Sequence, residues 1–396
     1  MKQLHIIEPK LKNMQGHYVR YALEISLAAI KEGFEPICWI NTESTWKIKS
    51  VLRKNGIKVE PIFNDNGLFV KKIKTCNWLW TAFQYCYSLN LIRKRSGKND
   101  KIITFSGNIE NFLGPLISSI LYPKIPPLIF QFMLWETVEM KTRLNLQHFM
   151  IYRVTELVAR RCLIASNIRI ISQTETLAEY IQKRIGIKAP VAPMIVDWNS
   201  IQQTHGSTRK NMNVIGYIGN IRPEKGFHLL AGGLLEFGKE CKNFSAIIQV
   251  NPVNSEYFKH VSPLISKLKK GHRIKLIEGL LSENEYADLL NTIDIIILPY
   301  DPHKYSLHRS SGIFTESIGL GKVAVAHKNT WMGYIIDRYQ VGVTFSEYSS
   351  TSLSIALKQV LSEYETLKYN SNRLRNEWIQ KNQPDYFFSK FILANN

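Results

Sequence analysis

Short apolar runs alternate with longer amphipathic segments along the whole chain, which indicates strands and helices in regular succession. In the first half the strand-like runs are nearly continuous and lie at 4–8, 36–40, 59–63, 101–107, 127–132, 168–173 and 190–195. Such strands are typical of a parallel sheet covered by helices on both faces. Between them, 17–33 and 174–186 have the length of helices; Thr174 suits an N-cap and Gly186 a C-terminal end.

A second series follows the polar stretch 198–213, which has no clear period and predicts a linker. Its strand-like runs lie at 213–219, 244–250, 274–279, 294–300, 322–328 and 341–345. Two such series predict an α/β protein of two Rossmann-like domains with parallel sheets that face a central cleft. We assign 1–196 to the first domain and 197–370 to the second. We expect a C-terminal helix within 371–396 to pack back toward the first domain.

Length and composition agree with two globular domains. A chain of 396 residues exceeds what one core usually organises, and 45% hydrophobic residues exclude a disordered protein. The apolar segment 111–135 is interrupted by Lys124 and by four prolines, so we expect no spanning helix there. The N-terminal apolar run is too short for a secretory signal. Five cysteines without a C-x-x-C pair favour reduced thiols in the cytoplasm and no zinc site.

The net charge of +19 predicts an anionic partner: a nucleic acid, an anionic membrane surface or a phosphorylated ligand. The densest basic segment, 71–101, carries eight Lys and Arg residues and one acid, interleaved with five aromatic residues. This composition suits docking on an anionic membrane surface. A helix with a buried aromatic stripe and a solvated basic face has the same composition. No nucleic-acid-binding module is recognisable, so we expect no nucleic acid partner.

The first candidate motif is the basic turn in 215–230, IGYIGNIRPEKGFHLL. The predicted strand ends at Gly219, and Arg222 and Lys225 precede the next helix. Free N–H groups and the dipole at a helix start favour an anion, and the two cations can neutralise a diphosphate. A solvated surface turn, in which Glu224 pairs with a neighbouring cation, gives the same pattern.

The second candidate motif lies in 296–331, where another strand, a polar loop and a helix follow one another. Ser310 or Ser311 suits the N-cap of the helix, which opens at Gly312. The second domain would thus present two helix N-termini to one anion. Glu316, about one turn into the helix, can accept hydrogen bonds from vicinal hydroxyls such as those of a ribose. Alternatively, Glu316 only complements the helix dipole.

The order of these motifs resembles the C-terminal domain of the large retaining family of GT-B glycosyltransferases that use nucleotide sugars, the family 4-like group. That family typically carries G-R-L-x-x-E-K-G after a strand, then D-I-x-x-x-P-S, E-x7-E and G-K-P-V-V. The matching segments here are Gly219–Gly226, Asp294–Pro299, Glu316 and Gly321–Val325, and 193–197 resembles the hinge P-N-G-V-D. The spacing agrees from about 196 to 345. The first half matches weakly, through its first strand, the Gly16 loop and the following helix.

The resemblance implies roles for the second-domain residues. Lys225, with Arg222 nearby, would contact the donor diphosphate, and Glu316 would hold the ribose. The further donor-side residues are Ser311, Gly312 and Ile313, whose amides would hold the distal phosphate, and Gly279, Asn220 and His308. Gly279 ends a predicted strand. Asn220 stands where the family has an arginine, and His308 stands where it has the first glutamate of E-x7-E.

The first domain supplies weaker candidates. Gly16 allows close approach of the backbone to a ligand, and the resemblance places this loop against the donor phosphates and sugar. His17 is either catalytic or an exposed residue of a helix's first turn. Asn108 and Glu136 follow predicted strands and would face the acceptor.

Together these features predict a metal-independent GT-B glycosyltransferase with no cofactor. It would move a sugar from a nucleotide-sugar donor to a saccharide or lipid-linked saccharide acceptor, and the resemblance implies retention. This activity would belong to the synthesis of cell-surface polysaccharide, such as lipopolysaccharide, or glycoconjugate. We expect a cytoplasmic protein, peripheral at the inner face of the membrane. Two alternatives remain open: a nucleotide-sugar epimerase of the same fold, and a non-catalytic protein that binds polyanions or membranes.

Overall fold

A computed structural model gives the structure of the chain, which divides into two compact units. The structure describes residues 2–12, 14, 18–64, 76–121, 126–133, 143–163, 166–202 and 213–394. The first unit comprises Met1–Ile195 and Pro384–Asn396, and the second comprises Val196–Gln383. The chain therefore returns to the first unit at Pro384, whereas the sequence places the start of the returning segment at 371.

The first unit contains one parallel sheet of six strands. They are β1 Lys2–Glu8, β2 Phe34–Asn41, β3 Lys58–Phe63, β4 Lys101–Gly107, β5 Leu128–Phe132 and β6 Ile168–Ser172. Their order across the sheet is β3-β2-β1-β4-β5-β6. The chain thus builds one half of the sheet outward from β1, then crosses to build the other half from β4. This is the Rossmann-like arrangement that the nearly continuous apolar strands predict.

Helices cover both faces of the first sheet. They are α1 Tyr18–Lys31, α2 Trp46–Lys54, α3 Cys76–Arg95, α4 Ile109–Leu121, α5 Arg143–Cys162 and α6 Glu175–Ile185. Helices α1 and α2 share a core with the C-terminal helical segment Pro384–Leu393, while α4, α5 and α6 share a core on the opposite face. At α6, Thr174 Oγ1 accepts a hydrogen bond from the backbone N of Leu177 at 3.2 Å, and Gly186 has φ 81°. Both ends of this helix confirm the prediction.

One strand predicted in the first half is absent. Within 190–195 the only sheet-like contact is an isolated bridge between Ser172 and Val191. Pro190 and Pro193 lack the N–H groups that a strand in the interior of a sheet must donate, which explains why this apolar segment forms no ladder.

The second unit repeats the arrangement of the first. Its strands are β7 Val214–Tyr217, β8 Asn220–Ile221, β9 Ser245–Pro252, β10 Ile274–Glu278, β11 Ile295–Leu298, β12 Val323–His327 and β13 Gly342–Phe345. The parallel order is β10-β9-β7-β11-β12-β13, and the short β8 pairs with the end of β9. All six predicted strands of the second series are confirmed. As between β1 and β4 in the first sheet, the strand order reverses between β7 and its neighbour β11.

The helices of the second unit bury two apolar clusters, one on each face of the sheet. They are α7 Trp198–Gln202, α8 Phe227–Glu240, α9 Ser255–Lys269, α10 Glu283–Thr292, α11 Gly312–Gly319, α12 Trp331–Tyr339, α13 Ser350–Ser362 and α14 Tyr364–Lys381. Helices α8, α9 and α13 cover one face, whereas α10, α11, α12 and α14 cover the other.

The expected linker is helical at its start. Trp198 and Ile201 of α7 are buried in the core of the second unit. A Cβ atom built on Gly319 would collide with the Trp198 ring, so tryptophan and glycine pack directly against each other. Because 198–213 is mostly polar, its composition does not indicate that Trp198 and Ile201 are buried. The linker prediction is wrong for α7. Residues 203–212 lie outside the described part of the chain.

The apolar segment 111–135 divides between α4, which contains Pro115, and β5. Across the described residues, no helix is both long enough and apolar enough to cross a membrane.

The basic segment 71–101 contains α3, and the described side chains of this helix include both buried and exposed apolar residues. Tyr85, Leu89 and Ile92 are buried against the sheet, whereas Phe83 and Tyr87 are exposed. Residues 71–75 lie outside the described part. Tyr85 fits the expected buried aromatic stripe, whereas Phe83 and Tyr87 are exposed, and docking on a membrane surface stays a prediction.

Candidate functional site

The second sheet reverses its strand order between β7 and β11, and the loops after these two strands leave its carboxyl edge side by side. Ligands of parallel α/β sheets bind beyond the carboxyl ends of the strands, at the point where the order reverses. The two candidate motifs of the second half occupy these loops, at 218–226 and 299–311. The topology thus brings together segments that lie about ninety residues apart in sequence.

The two loops meet at Gly219. Its φ is 116°, a conformation that favours glycine. A Cβ atom built there would lie 2.9 Å from Lys225 Nζ and 3.1 Å from Ile313 Cδ1. The absence of a side chain at this position therefore leaves space between the Lys225 ammonium and the first turn of α11. A cation and a helix N-terminus share this small region.

A second glycine, Gly226, allows the two loops to pack directly against each other. Pro223–Lys225 forms one turn of 3₁₀ helix, after which Gly226 adopts φ 64° and begins α8. A Cβ atom at Gly226 would collide with the backbone carbonyl oxygen of Pro299. The backbone N of Asp301 donates a hydrogen bond to the carbonyl oxygen of Glu224 at 3.0 Å. The position of Lys225 therefore depends on contacts with the loop after β11.

Lys225 lies in an environment that disfavours its positive charge. Burial is the main cause that lowers the pKa of Lys225 to about 8, and the positive charges of Arg222 and Arg309 act in the same direction while Glu224 opposes them. Its Nζ lies 5.5 Å from the centroid of the Tyr300 ring. A bound anion would favour the ammonium form, so this lysine is poised to interact with negative charge.

Helix α11 presents its N-terminus at the same place. Ser311 is its N-cap, and its Oγ accepts a hydrogen bond from the backbone N of Phe314 at 3.4 Å. The predicted cap is confirmed at Ser311 rather than Ser310. The N–H groups of the first helical turn, including those of Gly312 and Ile313, have no acceptor within the helix itself and suit an anion.

Glu316 has a defined partner. The hydroxyl of Tyr286, in the first turn of α10, donates a hydrogen bond to Glu316 Oε2. Helix α10 itself begins with a capping box between Ser282 and Glu285. The carboxylate is therefore held in place by a neighbouring helix, and it keeps further acceptor capacity for a ligand hydroxyl.

Gln249 is a further residue of the site that the sequence analysis did not predict. It is a polar residue in the apolar run 244–250, and this contrast could have indicated a functional position. Gln249 is 3% exposed, and its side-chain amide joins two of the predicted residues. Its Oε1 accepts from the backbone N of Gly219 at 2.8 Å, and its Nε2 donates to the carbonyl oxygen of Gly279 at 3.0 Å. Gln249 therefore aligns the carboxyl ends of β7, β9 and β10.

Other predicted residues have different surroundings. Asn220 Oδ1 accepts a hydrogen bond from Asn251 Nδ2 at 2.7 Å, so its side chain is directed to β9. Arg222 is 43% exposed at its side chain, and its Nη1 lies 3.9 Å from Glu224 Oε1. His308 is half-buried, and its backbone N donates to the hydroxyl of Ser306 at 3.4 Å.

The first-unit candidates are only partly described. Gly16, His17 and Glu136 lie outside the described residues. Asn108 begins α4: its Oδ1 accepts from the backbone N of Asn111 at 2.9 Å, and its own backbone N donates to Asn111 Oδ1 at 2.8 Å. This reciprocal pair gives Asn108 a capping function in the first unit. Across the described residues, no group of three or more His, Cys, Asp or Glu side chains is placed to hold a metal ion.

Comparison with known proteins identifies the fold. No protein-family model matches the chain, and no curated protein sequence matches it. Solved structures do match over nearly the full length. A glycosyltransferase from Rickettsia africae ESF-5 is 15% identical, with 98% of this chain and 96% of that chain covered and a TM-score of 0.71.

HepE from Anabaena, in complex with UDP and glucose, is 14% identical, with 98% of each chain covered and a TM-score of 0.67. WaaG, a glycosyltransferase of lipopolysaccharide biosynthesis, is 11% identical, with 97% and 96% covered and a TM-score of 0.61. HepE is also known in complex with UDP-glucose. At these identities the similarity establishes the fold, and the predicted GT-B fold of two parallel-sheet domains is confirmed. Membership in the family 4-like group stays a prediction.

Proposed function

We propose that this protein is a glycosyltransferase that moves a sugar from a nucleotide-sugar donor to a saccharide or lipid-linked saccharide acceptor. The observation that carries the proposal is the meeting of Gly219, Lys225 and the N-terminal turn of α11 where the second sheet reverses its strand order. A cation beside a helix N-terminus is a fitting site for the diphosphate of such a donor.

The fold supports a nucleotide sugar as the donor, since structurally similar proteins are glycosyltransferases and one of them binds UDP and UDP-glucose. UDP-glucose is therefore the first donor to test. Glu316 would accept hydrogen bonds from the ribose hydroxyls while Tyr286 holds its carboxylate.

The site chemistry suits departure of a nucleoside diphosphate. The bond between the anomeric carbon and the diphosphate oxygen breaks and its electron pair stays with that oxygen, the acceptor oxygen bonds to the anomeric carbon, and the acceptor hydroxyl gives its proton to the departing diphosphate. Negative charge develops on the leaving diphosphate, where the Lys225 ammonium and the N–H groups of Gly312 and Ile313 would stabilise it. In this proposal the reaction requires no metal or cofactor. Retention of configuration follows if the acceptor attacks from the face that the donor leaves.

We further propose that the protein acts at the cytoplasmic face of a membrane, in the synthesis of cell-surface polysaccharide or glycoconjugate. Support comes from exposed apolar side chains on three neighbouring helices of the first unit, which we call the outer helical face. They are Phe83 and Tyr87 of α3, Ile117, Ile120 and Leu121 of α4, and Met150, Val154 and Leu157 of α5. Arg161 and Arg160 lie near these apolar residues on α5 and suit anionic lipid headgroups; Arg160 also donates to the carbonyl oxygen of Arg184 at 2.6 Å. Arg153 lies on the same helix and pairs with Glu156 at 3.2 Å.

The functional proposal is tested with nucleotides and with site variants. UDP, GDP, ADP and CMP are compared for thermal stabilisation, and nucleotide release from the matching donor is measured with and without saccharides. We expect Lys225→Ala and Glu316→Ala each to lower turnover at least about tenfold, because each removes a charge-assisted contact. Lys239→Ala, which removes an exposed lysine of α8, is the control and should retain wild-type turnover.

Three outcomes would contradict this function. Wild-type turnover of Lys225→Ala and Glu316→Ala would defeat the site. Release of an altered free sugar from the donor alone would indicate an epimerase. An absence of stabilisation by every nucleotide, together with salt-dependent binding to polyanions, would indicate a non-catalytic protein.

A further inference from the structure

The diphosphate site described above has one well-placed cation and needs a second. Lys225 is a single positive charge, whereas a diphosphate ester carries about two negative charges and gains another as it leaves. Asn220 stands where the family that the sequence resembles has an arginine, and its side chain accepts a hydrogen bond from Asn251. The Arg222 side chain is 43% exposed and its Nη1 lies 3.9 Å from Glu224 Oε1, so this carboxylate partly compensates its charge.

Arg309 is a cation that the sequence motifs did not single out. It lies two residues before the N-cap Ser311, in the loop between β11 and α11. Its guanidinium carbon lies 4.0 Å from the centroid of the Tyr305 ring, and its Nη1 donates to the carbonyl oxygen of Lys304 at 3.4 Å. Stacking on an aromatic ring fixes a guanidinium without neutralising it.

The ring under Arg309 connects it to Lys225. Tyr305 packs against Tyr300 with 4.5 Å between the ring centroids, and Lys225 Nζ lies 5.5 Å from the centroid of the Tyr300 ring. Both tyrosines are buried. Two buried rings thus support two cations, one from each of the loops that meet at the carboxyl edge of the sheet.

The charges around this pair favour an anion. Among the described residues, Arg309 contacts the Tyr305 ring and the backbone carbonyl oxygens of Lys304 and Ser306, and no carboxylate forms an ion pair with it. After burial, the larger charge effects on the pKa of Lys225 come from Arg222, which lowers it, and Glu224, which raises it. The positive charge of Arg309 makes a smaller contribution that also lowers this pKa. An anion bound beside Lys225 would therefore also be attracted by the positive charge of Arg309.

We propose that Arg309 is the second diphosphate-binding cation of this protein and supplies the charge that Asn220 lacks. The proposal rests on the proposed function and adds a residue to it. The planar guanidinium can contact two phosphate oxygens at once, while Lys225 acts as a compact charge from the neighbouring loop. The donor diphosphate is then held by one cation from each loop and by the first turn of α11.

The test measures binding of UDP, UMP and uridine by calorimetry to the full-length wild type and variants. We expect Arg309→Gln to weaken UDP binding at least about tenfold, to weaken UMP binding less, and to leave uridine binding unchanged. Arg309→Lys should lie between wild type and Arg309→Gln. Arg338→Gln is the matched control, since Arg338 also stacks on a tyrosine, 5.4 Å from the Tyr339 centroid on α12.

Arg222→Gln separates the two candidate arginines, and we expect it to weaken UDP binding less than threefold. The proposal is overturned if Arg309→Gln binds UDP as tightly as Arg338→Gln, or if Arg222→Gln costs more than Arg309→Gln. Equal losses for UDP and uridine would also overturn it, because they would indicate a general disturbance of the site. Circular dichroism of each variant verifies folding, and the Arg309→Lys variant carries the test if Arg309→Gln does not fold.

The proposed function and this inference can fail separately. If the wild type binds UDP and Arg309→Gln binds it equally well, only the role of Arg309 is wrong. If the wild type binds none of UDP, GDP, ADP and CMP, both proposals are wrong.

Discussion

At the scale of single residues, the site depends on a lysine whose charge is costly in the free protein. The Lys225 ammonium lies between Gly219 and Tyr300, and burial lowers its pKa to about 8. A diphosphate favours the protonated form and raises that pKa when it binds. The environment therefore couples the protonation of one side chain to occupation of the site.

This coupling predicts a pH-dependent affinity for UDP. Below pH 8 Lys225 is already protonated and the affinity should be nearly constant with respect to this group. Above that pH the free protein loses the proton and must take it up again on binding, so the affinity should fall by up to about tenfold per pH unit. Calorimetry from pH 6.5 to 9.5, in buffers of different ionisation enthalpy, measures both the affinity and the proton uptake. A flat affinity without proton uptake would contradict the prediction.

At the scale of secondary-structure elements, two loops are positioned by strand ends and by glycines. Gln249 joins the end of β7 to the end of β10, and Gly226 allows the turn before α8 to touch the carbonyl oxygen of Pro299. The geometry of Lys225 is thus a property of the packed loops rather than of its own turn.

A glycine substitution tests this dependence. Gly226→Ala should destabilise the protein and weaken UDP binding at least about tenfold, because a Cβ atom both strains φ 64° and pushes the two loops apart. Gly186→Ala is the control: Gly186 has φ 81° but nothing lies within 4 Å of its added Cβ. It should lose stability without losing UDP affinity. Urea unfolding and calorimetry give the two quantities, and equal UDP affinity in both variants would contradict the prediction.

The elements were largely predictable from the chain, whereas several contacts between them were not. Continuous apolar runs are a local signal, and they predicted every long strand of the second unit. The predicted strand at 190–195 is absent because its prolines lack backbone N–H donors. The linker prediction is wrong at 198–202 because the buried Trp198 lies in a segment that is otherwise mostly polar. The polar Gln249 in an apolar run was a local signal, but its partners Gly219 and Gly279 are distant in sequence, so its bridging role could not be read from that run. Arg309 stacks on Tyr305 in an irregular loop, where no helix or strand period predicts which side chains meet.

At the scale of the whole molecule, positive charge is distributed to more than one surface. The second unit concentrates cations at the carboxyl edge of its sheet. The first unit places arginines among exposed apolar residues on the outer helical face, where the buried Glu156 pairs with Arg153 at 3.2 Å and with Arg184 at 2.5 Å. The excess charge of the chain therefore fits both a phosphorylated donor and an anionic membrane.

The outer helical face predicts binding to anionic vesicles. The protein should sediment with vesicles of phosphatidylglycerol and phosphatidylcholine but not with phosphatidylcholine alone, and added salt should weaken the binding. Leu157→Ser should reduce the bound fraction at least about threefold, because it removes an exposed apolar group of α5. Ile355→Ser, at an exposed apolar site of α13 in the second unit, is the control. Equal sedimentation of the two variants would contradict this membrane contact.

The return of the chain to the first unit at Pro384 bears on how the protein is made. Phe387 and Phe388 fill the first core, where their rings lie 5.8 Å from Phe105 and 5.6 Å from Phe34 between centroids. A nascent chain that has emerged only as far as Ile195 still lacks these rings. The core of the first unit is therefore complete only after the whole second unit has been synthesised.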